Sequence, residues 1–139
     1  MASEVDLAYT AGLIDGEGCI GVYPQKCKTN KAGRRYSLTV VVSMSNWEAP
    51  LWLKETFGGY YQVFKNKGYG TRIMYAWRIS GKPANRVLKG ILPYLRIKYR
   101  QAEMAIEFQD KMKMGKHESA IVIEAQKILS DAIKAEKRR

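Results

Sequence analysis

Twice along the chain a helix-period segment stops near glycine and gives way to a pair of strand-period runs. That repeated change of rhythm limits the fold more than any other feature. Ser3 and Asp6 have the spacing of a capping box and predict a helix from about Val5 to Asp15, which Gly16 and Gly18 end. Residues 19–27 then alternate, with Ile20 and Val22 on one face and Gly21, Tyr23, Gln25 and Cys27 on the other. The polar stretch KTNKAGRR supplies a turn at Gly33. The β-branched run YSLTVVVSM at 36–44 reads as the return strand. Leu38, Val40 and Val42 extend the core face, while Arg35, Ser37, Thr39 and Val41 join Tyr23 and Gln25.

The second pass starts at Ser45 and Glu48, another capping-box spacing, with Pro50 tolerated near the helix start and Gly58-Gly59 at its end. Residues 60–66 and 71–80 predict two strands joined at Lys67-Gly68. Ile73, Tyr75, Trp77 and Ile79 form the core face there, and Arg72, Met74, Ala76 and Arg78 the opposite one. After Gly81 and Pro83 the pattern is helical: Ala84, Val87, Leu88, Ile91, Leu92 and Leu95, with a break at Pro93. A second stripe follows in Ile97, Met104, Ala105, Phe108 and Met112. A final helix over 117–137 shows Ile121, Val122, Ala125, Ile128, Leu129, Ala132 and Ile133 and forms a C-terminal extension from about 116. The expected fold is one α+β domain over 1–139. Two β-hairpins form a four-stranded antiparallel sheet with helices on one face, in the order αββαββα. Its other face is left polar, basic and partly aromatic.

Charge is segregated along this frame. The net charge is +11, yet residues 18–47 and 56–102 contain no Asp or Glu, and all thirteen acids lie outside them. Acid-free basic segments suit a phosphate backbone, because a carboxylate facing phosphate repels it. An antiparallel ribbon is narrow enough for the DNA major groove. Cys19 and Cys27, placed on one strand, stand roughly 26 Å apart, beyond disulfide reach. With no apolar run of membrane-spanning length and no visible signal peptide, the expectation is an intracellular, reducing compartment (cytoplasm or an organelle matrix), without membrane attachment.

The segment YTAGLIDGEG concentrates the chemistry. Ala8, Gly12 and Gly16 are four apart and share a helix face. Such a smooth face suits either close packing within the domain or close approach of a second helix. Glu17 follows between glycines at the negative end of the helix dipole, where a carboxylate makes a poor cap and a good Mg²⁺ ligand. An exposed turn carboxylate is the plainer reading of the same residue.

Residues 10–18, Thr-Ala-Gly-Leu-Ile-Asp-Gly-Glu-Gly, resemble the signature nonapeptide of LAGLIDADG homing endonucleases. Seven of nine positions match in type when Glu17 counts for the acid; Thr10 and Gly16 depart. The likeness extends over 7–113 through the two-hairpin order, Gly58-Gly59 and the run LPYLRIKYRQAE at 92–103. The resemblance implies a site-specific, Mg²⁺-dependent endonuclease that makes a staggered double-strand break in double-stranded DNA, with short 3′ overhangs. Glu17 and the Gly16 carbonyl would hold the divalent cation, and Lys98 resembles the active-site lysine. Read without the family, Lys98 is a phosphate contact or a solvated charge.

The signature occurs once, so one chain implies half a site. A homodimer with Ala8, Gly12, Asp15 and Gly16 at its interface, on a roughly palindromic DNA, is expected. The family's polar residue near the end of the second strand falls on Ser43 or Met44, neither of which is Gln. Tyr23, Gln25, Cys27, Arg35, Ser37, Gln62, Arg72 and Arg78 are expected to read bases. Lys26, Lys28, Lys31, Arg34, Lys65, Lys67 and Arg100 are expected to hold phosphates. Two other readings use the same scaffold: an RNA-binding intron maturase and a non-cleaving DNA-binding regulator.

Overall fold

Ser3 Oγ accepts from the Asp6 amide at 3.1 Å and Asp6 Oδ2 accepts from the Ser3 amide at 3.2 Å, so the expected capping box starts the first helix. In this computed structural model, residues 2–26, 34–65, 72–111 and 120–137 are described. They form α1 (Glu4–Glu17), β1 (Gly18–Lys26), β2 (Arg34–Met44), α2 (Glu48–Phe57), β3 (Tyr60–Lys65) and β4 (Ile73–Ser80). Then come α3 (Gly81–Ile91), a 3₁₀ turn at Leu92–Tyr94, α4 (Tyr99–Lys111) and α5 (Ala120–Lys137). The strands make one antiparallel sheet in the order β1-β2-β4-β3. This is the α+β arrangement the two hairpins imply. The turns expected at Gly33 and at Lys67-Gly68 lie outside the described residues.

The helices cover one sheet face. Ile20, Val22, Leu38, Val40, Val42, Trp77 and Ile79 meet Ile14, Leu53, Leu88, Ile91 and Phe108 in a single core. Each such side chain contributes about 1.5–3 kcal/mol on burial. Trp77 is fully buried and donates its indole N–H to the Gly58 carbonyl at 2.7 Å. Gly58 and Gly59 have φ of 82° and 95°, which turns the chain from α2 into β3 in a conformation that side chains resist. Pro93 ends α3 as expected, and the chain continues through the 3₁₀ turn. α5 packs on α4, β1 and β2, burying Ile133 and placing the Ser130 hydroxyl on the Val22 carbonyl. No helix among the described residues is long and apolar enough to cross a membrane.

Several expectations fail locally. α1 runs past Asp15 to Glu17. The Ser45–Glu48 capping box does not form; Asn46 Oδ1 instead accepts from the amides of Glu48 at 2.9 Å and Ala49 at 3.1 Å. Ile73 is 47% exposed, because β4 begins beyond the cover of the helices. Ile97 is 70% exposed in the loop before α4, so it belongs to no helical stripe. Ile128 likewise faces outward on α5.

Candidate functional site

α1 passes into β1 with no intervening loop, because Gly18 lies against the preceding helical turn. A Cβ there would stand 2.7 Å from Ile14 Cα and 2.8 Å from its carbonyl oxygen. Glu17 is thus the last helical residue, with an exposed side chain. Gly16 beside it is also exposed. The last turn of α1 holds no basic residue, so its unsatisfied carbonyls present negative partial charge.

A cation reaches this helix end from far along the chain. Lys98 Nζ donates to the Asp15 carbonyl at 2.7 Å. The Asp15 carboxylate in turn accepts three consecutive backbone amides: Arg96 at 2.8 Å, Ile97 at 3.3 Å and Lys98 at 3.0 Å. The structure therefore brings together Gly16, Glu17 and Lys98, the expected metal-holding and catalytic residues. It also gives Asp15 a local task, besides the interface expected for it, which no neighbouring residue in sequence announces.

Ala8, Gly12 and Gly16 lie on the open side of α1, while Thr10, Ala11 and Ile14 are buried. A Cβ at Gly12 or Gly16 would meet nothing within 4 Å. The small stripe is therefore not used for packing inside this domain. Val5 and Tyr9 flank it, 77% and 52% exposed, and Tyr9 meets Trp52 of α2 edge to face at 5.2 Å. With Asn46, Glu48 and Ala49 they line a shallow groove.

The open sheet face carries Cys19, Gly21 and Tyr23 from β1, opposite Val41, Thr39 and Ser37 of β2. Cys19 Sγ lies 3.2 Å from the Tyr23 hydroxyl. Gln25 and Arg35 are register partners further out. Arg78 of β4 pairs with Val41 on one side and with Tyr60 of β3 on the other; Gln62 is opposite Ala76. Arg78, Gln62 and Arg72 are exposed, and Ser37 is half-buried. Gln62, Arg78, Ser80 and Tyr60 share a shallow depression. Thr39 Oγ1 and Ser80 Oγ stand 3.1 Å apart. Tyr60 and Ser80 extend the polar face beyond the residues expected there; strand alternation places Thr39 on that side, where it is buried, and its partner in β4 is set by long-range register.

Lys26, paired with Arg34, and Lys65, paired with Ile73, fall on the helix-side parity at strand ends. The β1–β2 register begins at Gly18 opposite Val42, so Ser43 and Met44 lie one and two residues beyond it at the end of β2. Arg100, in the first turn of α4, is exposed, with its guanidinium over the Tyr99 ring at 6.0 Å and 3.9 Å from Glu136. Its contacts with Tyr99, then the Glu136 charge, raise its pKa above the ordinary arginine value. Cys27, Lys28, Lys31 and Lys67 lie outside the described residues.

Among the described residues no three His, Cys, Asp or Glu side chains converge. One Glu17 with helix-end carbonyls is a set of hard oxygen donors that suits Mg²⁺ or Ca²⁺, but it is an incomplete set.

A family model described as "LAGLIDADG endonuclease" matches residues 10–114, which leaves α5 beyond the matched region. The homing endonuclease I-CvuI, solved in complex with its target in the presence of Ca, shares the fold. It aligns with a TM-score of 0.79 and 20% identity, over 96% of this chain and 82% of that one. The archaeal intron-encoded homing endonuclease I-Vdi141I, complexed with DNA, aligns with a TM-score of 0.75 and 18% identity, over 96% and 84% of the two chains. The LAGLIDADG meganuclease I-AabMI, bound to uncleaved DNA, aligns at 0.69 with 16% identity, over 91% of this chain but 45% of that one. No curated protein matches.

Proposed function

The chain belongs to the LAGLIDADG endonuclease family, and on that premise we propose that it is a site-specific DNA endonuclease in which two copies build one cutting centre. The observation that carries this reading is the end of α1: an exposed Glu17 at a carbonyl-rich helix terminus, with the Lys98 ammonium 2.7 Å from the Asp15 carbonyl.

Each residue there has a separable task. Glu17, with the Gly16 carbonyl, holds a divalent cation, Mg²⁺ under working conditions. When bound, that cation supplies the positive charge that activates water and stabilises the departing 3′ oxygen. Lys98 adds a fixed cation where charge develops on the phosphate, and its bond to a helix-end carbonyl keeps it in place before substrate arrives. Ser43 or Met44, at the end of β2, falls where the family carries a polar residue, and neither is Gln.

The pairing of chains rests on the open stripe of Ala8, Gly12 and Gly16. Two such faces let helices approach closely and bring two Glu17 residues together. That this chain matches less than half of I-AabMI supports the same view. A two-fold pair favours a roughly palindromic site cut once per strand, with short 3′ overhangs. The open sheet face then follows the major groove. Tyr23, Gln25, Cys27, Arg35, Ser37, Gln62, Arg72 and Arg78 address base edges, and Lys26, Lys28, Lys31, Arg34, Lys65, Lys67 and Arg100 address phosphates.

The test begins with duplexes selected by the chain from a randomised pool in Ca²⁺ and then transferred to Mg²⁺. The expected result is staggered cutting by the wild type, and undiminished binding without cutting by Glu17→Gln. Tight binding with no Mg²⁺-dependent cutting would overturn the reading in favour of a regulator. Preference for structured intron RNA over every selected duplex would overturn it in favour of a maturase.

A further inference from the structure

The geometry points to Asp15 as a positioning residue that sets Lys98 for the reaction, an assignment that rests on the reading of Glu17 and Lys98 as the cutting site. Asp15 and the 96–98 loop are joined in both directions. The loop donates three amides to the Asp15 carboxylate, and Lys98 returns its ammonium to the Asp15 carbonyl. The two segments are more than eighty residues apart in sequence, and these bonds, with the packing of α1 on the 3₁₀ turn, tie the loop to the end of α1.

The bonds also decide what Asp15 does not do. One oxygen accepts Arg96, and the other accepts both Ile97 and Lys98. A carboxylate offers about four lone-pair sites, so most of this one is already used by backbone donors. Asp15 is two residues from Glu17, yet its carboxylate is directed to the loop rather than to a cation. The loop leads directly into α4, whose first intrahelical acceptor is the Lys98 carbonyl, bonded by the Ala102 amide at 3.0 Å. The Asp15 charge therefore also meets the positive end of α4. Lys98 is thereby fixed at its backbone by one part of Asp15 and at its ammonium by another. Loss of the carboxylate frees the loop, and the ammonium loses its fixed place at the end of α1.

The test compares wild type, Asp15→Ala, Asp15→Asn, Lys98→Ala and the Asp15→Ala/Lys98→Ala double variant on the duplex that the wild type selects in Ca²⁺. Asp15→Ala should slow single-turnover cutting at saturating DNA by roughly tenfold to a hundredfold, the cost of a misplaced group. DNA affinity in Ca²⁺ and the half-saturating Mg²⁺ concentration should stay within about twofold of wild type, and the double variant within about twofold of Lys98→Ala alone. Asp15→Asn keeps one acceptor oxygen and should fall between. Hydrogen exchange at the amides of 96–98 should quicken in both Asp15 variants, a readout that needs no activity and covers the case in which Asp15→Ala folds poorly. A double variant that multiplies the two losses, or a raised Mg²⁺ requirement, would overturn the assignment. A wild type that cuts no selected duplex overturns the reading beneath it as well. A wild type that cuts while Asp15→Ala cuts equally fast overturns only the role of Asp15.

Discussion

Gly18 lies so close to Ile14 that a Cβ on the glycine would stand 2.7 Å from the Ile14 Cα. The contact is with backbone, which cannot swing aside as a side-chain tip can. Gly18→Ala should therefore destabilise the fold by about 1–3 kcal/mol, as overpacking does. It should also slow cutting more than it weakens DNA binding, since Glu17 is the adjacent residue. Urea unfolding and single-turnover cleavage on a selected duplex measure the two effects.

Lys98→Arg keeps the charge and changes its shape. A planar guanidinium cannot reproduce one ammonium bonded to the Asp15 carbonyl. Cutting should drop by roughly tenfold or more with DNA affinity nearly unchanged, and Lys98→Ala should lose roughly a hundredfold. Equal rates for wild type and both variants would remove Lys98 from the mechanism.

Gly12→Leu separates folding from association. Nothing within 4 Å opposes a Cβ at Gly12, and leucine favours helix over glycine by about 0.5–1 kcal/mol. The single chain should be no less stable, while paired helices would be held apart. Sedimentation velocity should show a monomer where the wild type is a dimer, and double-strand cutting should be lost. A dimer of unchanged affinity would show that α1 is not the meeting surface.

Trp77→Phe leaves the Gly58 carbonyl without its indole donor and the core with a smaller ring. A loss of about 1–3 kcal/mol is expected from the orphaned acceptor alone. It should appear as a lower urea midpoint with an unchanged slope.

Asp110 supplies a pH test. Its hydrogen bonds from Lys89 at 2.9 Å and Asn85 at 2.8 Å hold its carboxyl below the ordinary aspartate value. A pKa depressed in the folded state contributes stability that is fully present above the unfolded value and fades as pH falls through the folded one. Asp110→Asn should therefore be slightly less stable than wild type at neutral pH, and the gap should narrow as pH falls below the unfolded aspartate value and close once it is below the folded one. A gap that is constant with pH would mean that shape, not charge, matters at that position.

The parts of the fold visible in the sequence are those whose physics is local. Period-two alternation placed Ile20, Val22, Leu38, Val40, Val42, Trp77 and Ile79 on one face, and all are buried. Helical spacing likewise found Val87, Leu88 and Ile91. Glu17 stood out because an acid at a helix C-terminus opposes the dipole, and the open stripe because small residues recur every four positions. What depended on the extent of the helical layer was missed: the alternation at Ile73 continues beyond the point where any helix covers it. Helical spacing puts Ile97 on a stripe because it does not register that a carboxylate from α1 holds the Ile97 backbone in a loop. The task of Asp15 has no local signature at all, since its partners are drawn from the other end of the domain.

Because no loop separates α1 from β1, the residue proposed to cut and the strand proposed to read bases are joined directly. On that reading, a mismatched base pair under Tyr23 cannot be absorbed by slack before it reaches Glu17. Errors in recognition would then be rejected at the moment of scission as well as at docking, and fidelity would be written into the reaction rate and not only into residence time on the duplex.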